Sequence, residues 1–496
     1  MKTKATIIFG LLALIVALPM VMRRQTATTS SRSADDSIVI LSPHNETIRQ
    51  EFGEAFAAHW KKTTGRTIYI DWRTPGGTSE IRMVIDAGFK AAQETGRSGI
   101  GVDVLFGGGE PDFAGQAKKG RLAPLRVFDS HPEWFTKEGP VSETFTGERY
   151  YPLDHVWVAT CMSQFGICYN PDVLKRLKIP PPVTWNDLGD PRYAGALALA
   201  DPTKSGSVAR AFELLVQAEM QRALRTPGVE RNAALATGWI AGIQLIQRMA
   251  ANARYFTDSA SKIPQDVQHG NAAAGMCIDF YGRSFADEPA AKADKPRLIW
   301  IAPVGGTTLS GDPVAVLKGA PHSGVAQDFV EFCLSSEAQT LWFGKPGTLG
   351  GPKSRALHRT PIRRDIYTAG NLAKSTMPDA HPYNDPGTFT FQRELTGSSF
   401  NTLRQLVKIM CIDSHDEMKS AWNAIRAAGM PADALAVFSD VSIMDYAKAG
   451  HGDPVLDGPD ALKSAARAAE IGEWFRSNYR KAEAMAKQHL NSSGGL

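Results

Sequence analysis

The sequence predicts an α/β fold of two lobes followed by a helical C-terminal extension, and three observations lead there. The 496 residues, 43% of them hydrophobic, are more than one compact core normally holds. From Ser37 onward, short apolar runs alternate with helical patterns across Gly- and Pro-containing turns, as in α/β units on mainly parallel sheets. The run Leu298 to Pro303 then reads as a return path into the first lobe. A chain that builds part of one lobe, then a second, then returns has a hinge of at least two strands, suited to closure around a ligand.

Each element follows from its own pattern. Ser37 to Ser42 reads as a buried strand, and Asn45 caps a helix whose Ile48, Phe52, Phe56 and Trp60 recur at helical spacing until Gly65 ends it. Thr67 to Trp72 is a second strand, Glu80 to Glu94 a helix, and Val102 to Phe106 a third strand running into Gly107-Gly108-Gly109. Gly166 to Tyr169, Ala196 to Ala200 and Ala274 to Ile278 are the strands of the middle region. Ala209 to Leu224 and Asn232 to Ala253 are its helices. Pro313 to Leu317 and Val325 to Leu334 follow the return, and beyond Arg355 the pattern turns helical, with Phe400 to Met410 and Ala461 to His489 as helices. The expected division is residues 37–155 with 301–355 as lobe 1, 156–300 as lobe 2, and 356–496 as the extension.

Residues 1–36 read as a signal peptide or membrane anchor with a tether. Lys2 and Lys4 precede an apolar run of 18 residues from Ala5 to Met22, followed by Arg23, Arg24 and a polar tract. No small-x-small pair marks a cleavage point, and no cysteine precedes Cys161, so a lipid anchor is excluded. The formal charge of +4 is largely this segment's: it holds five of the 55 basic and two of the 51 acidic residues. The remainder is nearly neutral and carries no basic field for nucleic acid. The five cysteines show no zinc or C-x-x-C spacing.

Several stretches, in order, resemble the ferric-iron-type family of ABC solute-binding proteins, the branch that also takes up phosphonates and sugar phosphates. They are Ile40 to His44, Val102 to Gly109, Thr184 to Ser207 (TWNDLGDPRYAGALALADPTKSGS) and Asp312 to Pro321. The run Thr184 to Ser207 is the specific one, because many positions match in fixed order. The resemblance implies a type II periplasmic-binding fold, closing on its ligand, with ABC permease subunits as partners.

Ligands of open α/β sheets sit beyond the carboxyl ends of strands, and the candidate site residues come from such turns. Ser205, Gly206 and Ser207 open a helix and offer hydroxyls beside free backbone N–H groups, an anion cradle or a plain cap. Gly76, Gly77 and Thr78 have the same chemistry, and Gly108 and Gly109 offer bare backbone. His44 follows the first strand, where the resemblance implies a histidine ligand in iron-binding members. Asp279 and Tyr281 end the strand from Ala274, where those members carry two adjacent tyrosines; here Phe280 replaces the first. His44, Asp279 and Tyr281 are thus a possible metal set for Fe(III) as ligand, hard oxygen donors being what that ion favours, or they orient a phosphate ester. No resident cofactor is expected.

No G-x-S-x-G, H-E-x-x-H, P-loop or G-x-G-x-x-G signature occurs. The expectation is an extracytoplasmic, non-enzymatic solute-binding component of an ABC importer, taking a small anion (phosphonate or sugar-phosphate-like) or ferric iron. An exported phosphate-ester hydrolase and a membrane-tethered ligand sensor are the alternatives.

Overall fold

A computed structural model describes residues 33–287, 297–384 and 387–493. The apolar run Ala5 to Met22 lies outside the described residues. Among the described residues no helix is long and apolar enough to cross a membrane.

Two sheets carry the fold. The first is built from β1 (Asp36–Leu41), β2 (Ile68–Arg73), β3 (Val104–Phe106), β6 (Val158–Ser163), β12 (Ser310–Val316) and β13 (Thr360–Pro361), in the order β13-β6-β12-β3-β1-β2. A hairpin, β4 (Thr144–Phe145) with β5 (Glu148–Arg149), stands apart. The second sheet comprises β7 (Phe165–Tyr169), β8 (Leu197–Ala200), β9 (Ala253–Thr257), β10 (Ala274–Ile278) and β11 (Ile299–Ile301), in the order β11-β7-β10-β8-β9. β1, β2 and β3 are parallel, as are β8, β9 and β10. β8 and β12 are buried along their whole length, as strands covered on both faces must be.

The first helix, α1 (Glu46–Thr64), starts where expected: Asn45 accepts from the Ile48 amide, and Gly65 ends it with φ of 74°. Its Phe52 and Phe56 pack on Phe106 and Phe329 with ring centroids 5.5 and 5.0 Å apart, the centre of the lobe 1 core. The site depends on α2 (Thr78–Glu94), α3 (Glu110–Lys118), α4 (Gly206–Leu224), α5 (Arg231–Asn252) and α6 (Asp279–Asp287).

The chain departs from the expected division at three places. β6 pairs with β12 and β13, so residues 158–163 belong to lobe 1 and the first crossing falls between Ser163 and Phe165. Leu298 to Pro303 does not return to lobe 1 directly: β11 adds to β7 at the edge of the second sheet, and the crossing comes between Ile301 and Ser310. Thr360–Pro361 covers the free edge of β6 instead of opening the extension.

The extension includes α7 (Arg393–Thr396), α8 (Phe400–Val407), α9 (His415–Ala427), α10 (Ala432–Phe438) and the long α11 (Ala461–Ser493). It is not a separate body. Leu403, Trp422, Phe438 and Tyr479 share one continuous core with Phe212, Trp239 and Ile246 of lobe 2. Trp239 Nε1 donates to Met444 O at 3.0 Å, and Trp422 Nε1 to Asn252 Oδ1 at 2.9 Å. All five cysteines are free and buried.

Candidate ligand-binding cleft

A cleft of about 630 Å³ lies between the two sheets. Its walls are the turns that follow β1, β2, β3, β8 and β10, the carboxyl-end position expected for ligands of such sheets. His44, Gly76, Gly77, Thr78, Gly108, Gly109, Ser205, Gly206, Ser207 and Tyr281 all line it. Asp279 does not.

Two helix starts face each other across the cleft. α2 begins after Gly77, where no side chain caps it, so its first backbone N–H groups lack partners within the helix. α4 begins after Ser205, whose hydroxyl accepts from the Val208 amide at 3.4 Å and lies 3.1 Å from Ser207 Oγ. Ser205 therefore does cap its helix, which leaves the Gly206 and Ser207 amides as the open donors. A Cβ added at Gly206 would lie 2.6 Å from Thr78 Oγ1; glycine is what permits the two lobes to approach here. Ser79 Oγ also donates across the gap to Thr203 O at 2.9 Å.

The floor is a charged cluster. Asp312 sits at a break in strand register between β12 and β6, and such irregularities re-aim side chains beside sites. Its Oδ1 accepts from the Gly108 amide at 2.7 Å, while Oδ2 meets His44 Nε2 at 3.1 Å and pairs with the Arg359 guanidinium. Arg359 also donates to Cys161 Sγ at 3.1 and 3.3 Å and lies 4.4 Å above the centroid of the Phe280 ring. His44 is neutral: burial, then the charges of Arg359 and Arg49, hold it well below its ordinary value. The Asp312 charge is taken up by Arg359, and His44 donates to it as an uncharged imidazole. Gly107, with φ of 92°, has the His44 ring where a Cβ would be, 2.5 Å away.

The expected metal set is not assembled. Asp279 is fully buried behind the wall, with Oδ1 accepting from the Phe280 amide at 2.8 Å and Oδ2 3.5 Å from Arg283. Burial raises its pKa, as it does that of Tyr281. His44 is committed to Asp312. Among the described residues no group of three or more His, Cys, Asp or Glu side chains could hold a metal ion.

Sequence reasoning missed the arginines. Arg359, Arg210 and Arg404 line the cleft, together with Lys204 and Ser163. Arg210 is balanced by Glu148 and Glu213, each at 2.5 Å. Arg210 Nε and Ser163 Oγ are buried without a hydrogen-bond partner. Asp312 was legible within a recognised motif, although its role was not. Arg359 and Arg404 lie far along the chain in segments without a motif.

Two lobes joined by crossing strands, with facing helix starts around an interlobe cleft, make up the type II periplasmic-binding fold. Residues 115–345, just under half of the chain, match the model of the bacterial extracellular solute-binding protein family. It is similar to the phosphoglycerate transport regulatory protein PgtC of Salmonella typhimurium, 26% identical over 185 residues. That match covers 37% of this chain and only 40% of the relative's length. An uncharacterized protein of Haemophilus influenzae is 25% identical over 267 residues, 53% of this chain and 67% of the relative. Among solved structures, the periplasmic binding protein AfuA of Actinobacillus pleuropneumoniae, with fructose-6-phosphate bound, is 19% identical. It aligns over 70% of this chain and 92% of its own at a TM-score of 0.50. The periplasmic binding protein P5PA is 16% identical over 75% and 95%, also at 0.50. These likenesses establish the fold. The matched family's description and the names of the solved neighbours are those of solute-binding proteins.

Proposed function

We propose that the chain captures a small phosphate-bearing anion between its lobes and delivers it to the permease subunits of an ABC importer. The observation that carries this reading is the pair of helix starts, at Thr78 without a side-chain cap and at Gly206, that line one cleft together with Arg359 and Arg404. Amide donors at a helix start together with a guanidinium suit phosphate oxygens. Ferric iron would find Phe280 where a phenolate would be needed, and His44 committed to Asp312. The fructose-6-phosphate of AfuA and the phosphoglycerate in the PgtC name support the same ligand class.

A thermal-shift panel of inorganic phosphate, fructose 6-phosphate, phosphoglycerate, ferric citrate and spermidine tests it. A phosphate monoester should raise Tm, since a ligand at a hundred times its Kd stabilises by about 2.7 kcal/mol. A shift by ferric citrate or spermidine alone would contradict the reading.

A second reading is a membrane-tethered sensor of the same ligand. It is favoured by the regulatory role in the PgtC name and by the apolar run Ala5 to Met22, which would serve as the anchor. The partner that co-purifies from membranes, permease or signalling kinase, separates the two.

A further inference from the structure

The reading above assigns nothing to the C-terminal extension, yet one of its side chains stands in the cleft wall. Arg404, on α8, bonds both lips of the cleft. Its Nε donates to Pro202 O at 2.8 Å, and its Nη2 to Thr203 O at 3.1 Å and to Ser79 Oγ at 3.0 Å. Pro202 and Thr203 precede α4 in lobe 2, and Ser79 lies in the first turn of α2 in lobe 1. The same turns supply the facing helix starts.

All three acceptors are uncharged oxygens. The carboxylates that act on Arg404 through space are Asp112 and Asp201, and both are otherwise engaged. Asp112 lies 3.8 Å from Arg82, itself a repulsive neighbour of Arg404, and Asp201 Oδ1 accepts from Thr203 N and Oγ1 at 2.7 Å each. Arg210 and Arg359, by contrast, each bond a carboxylate directly. Arg404 is only 7% exposed, and a buried charge without a bonded counter-charge is costly unless something supplies one.

We infer that Arg404 is a specificity-determining residue for the ligand's anionic group, so that the extension, and not the two lobes alone, completes the binding site. This rests on the proposal that the ligand carries phosphate. An anion between the helix starts would give Arg404 its missing counter-charge while Arg404 holds the two lips together. The extension is anchored in the lobe 2 core, so its reach to Ser79 makes it a brace across the closed cleft. Arg393, bonded to Glu110 of lobe 1 at 2.5 Å, is a second tie from the same segment.

The test is calorimetric titration of the full chain with fructose 6-phosphate, at two ionic strengths, for the wild type, Arg404→Gln and Arg404→Lys. Loss of one charge-assisted contact predicts roughly tenfold or greater weakening in Arg404→Gln, a shallower salt dependence, and partial recovery in Arg404→Lys. A purely structural arginine would lower Tm but leave the salt dependence of binding unchanged. Equal affinity in wild type and Arg404→Gln overturns the inference and leaves the ligand class standing. Failure of the wild type to bind any phosphate monoester overturns both. Should Arg404→Gln not fold, amide exchange of the wild type decides. Residues 400–407 should gain protection with fructose 6-phosphate, and unchanged protection there overturns the inference.

Discussion

At the residue scale the cleft is organised by Asp312, which joins His44, the Gly108 amide and Arg359. Neutral His44 has a pH signature. Its unfolded imidazole takes up a proton near pH 6.5, while the folded one is held neutral well below that. The unfolded state therefore gains protons as pH falls, and stability is lost below about pH 6.5 by at most roughly 1.4 kcal/mol per pH unit. Urea unfolding at pH 7.5, 6.0 and 5.0 should show a steeper loss of stability in the wild type than in His44→Gln, which keeps the smaller slope of buried His358 and His415; parallel curves would contradict it. His44 was legible from the sequence because it closes a strand within a recognised motif. Arg359 was not, because its partners Asp312 and Cys161 are 47 and 198 residues away in sequence and no spacing rule connects them. Asp279 is buried away from the cleft, because ending a strand fixes a residue's position but not the face it takes.

At the element scale the site is a meeting of helix starts, and the glycines there were readable as close-approach positions. Gly206→Ala puts a methyl 2.6 Å from Thr78 Oγ1, which obstructs closure without disturbing either lobe's core. Its expected outcome is several-fold weaker binding of fructose 6-phosphate with Tm of the free protein within a few degrees. Wild-type affinity would mean that the two helix starts do not approach in the bound state. Strand and helix positions followed periodicity closely, for example Ala274–Ile278 in β10. The lobe assignment of β6 and β11 did not, since an apolar run specifies a buried strand but not which sheet receives it.

At the scale of the whole molecule, two sheets and a fused extension enclose one cleft. The helical character of the extension follows from its apolar pattern, but its merger with the lobe 2 core depends on long-range packing, as of Trp422 on Asn252, that no local pattern encodes. The central claim is that an anion is held between the lobes. A crystal structure grown with fructose 6-phosphate tests it most directly. The expected result is the phosphate between the Thr78 and Gly206 helix starts, with arginine contacts from the cleft wall. A ligand bound outside the cleft, or held by one lobe with those amides turned away, would contradict it.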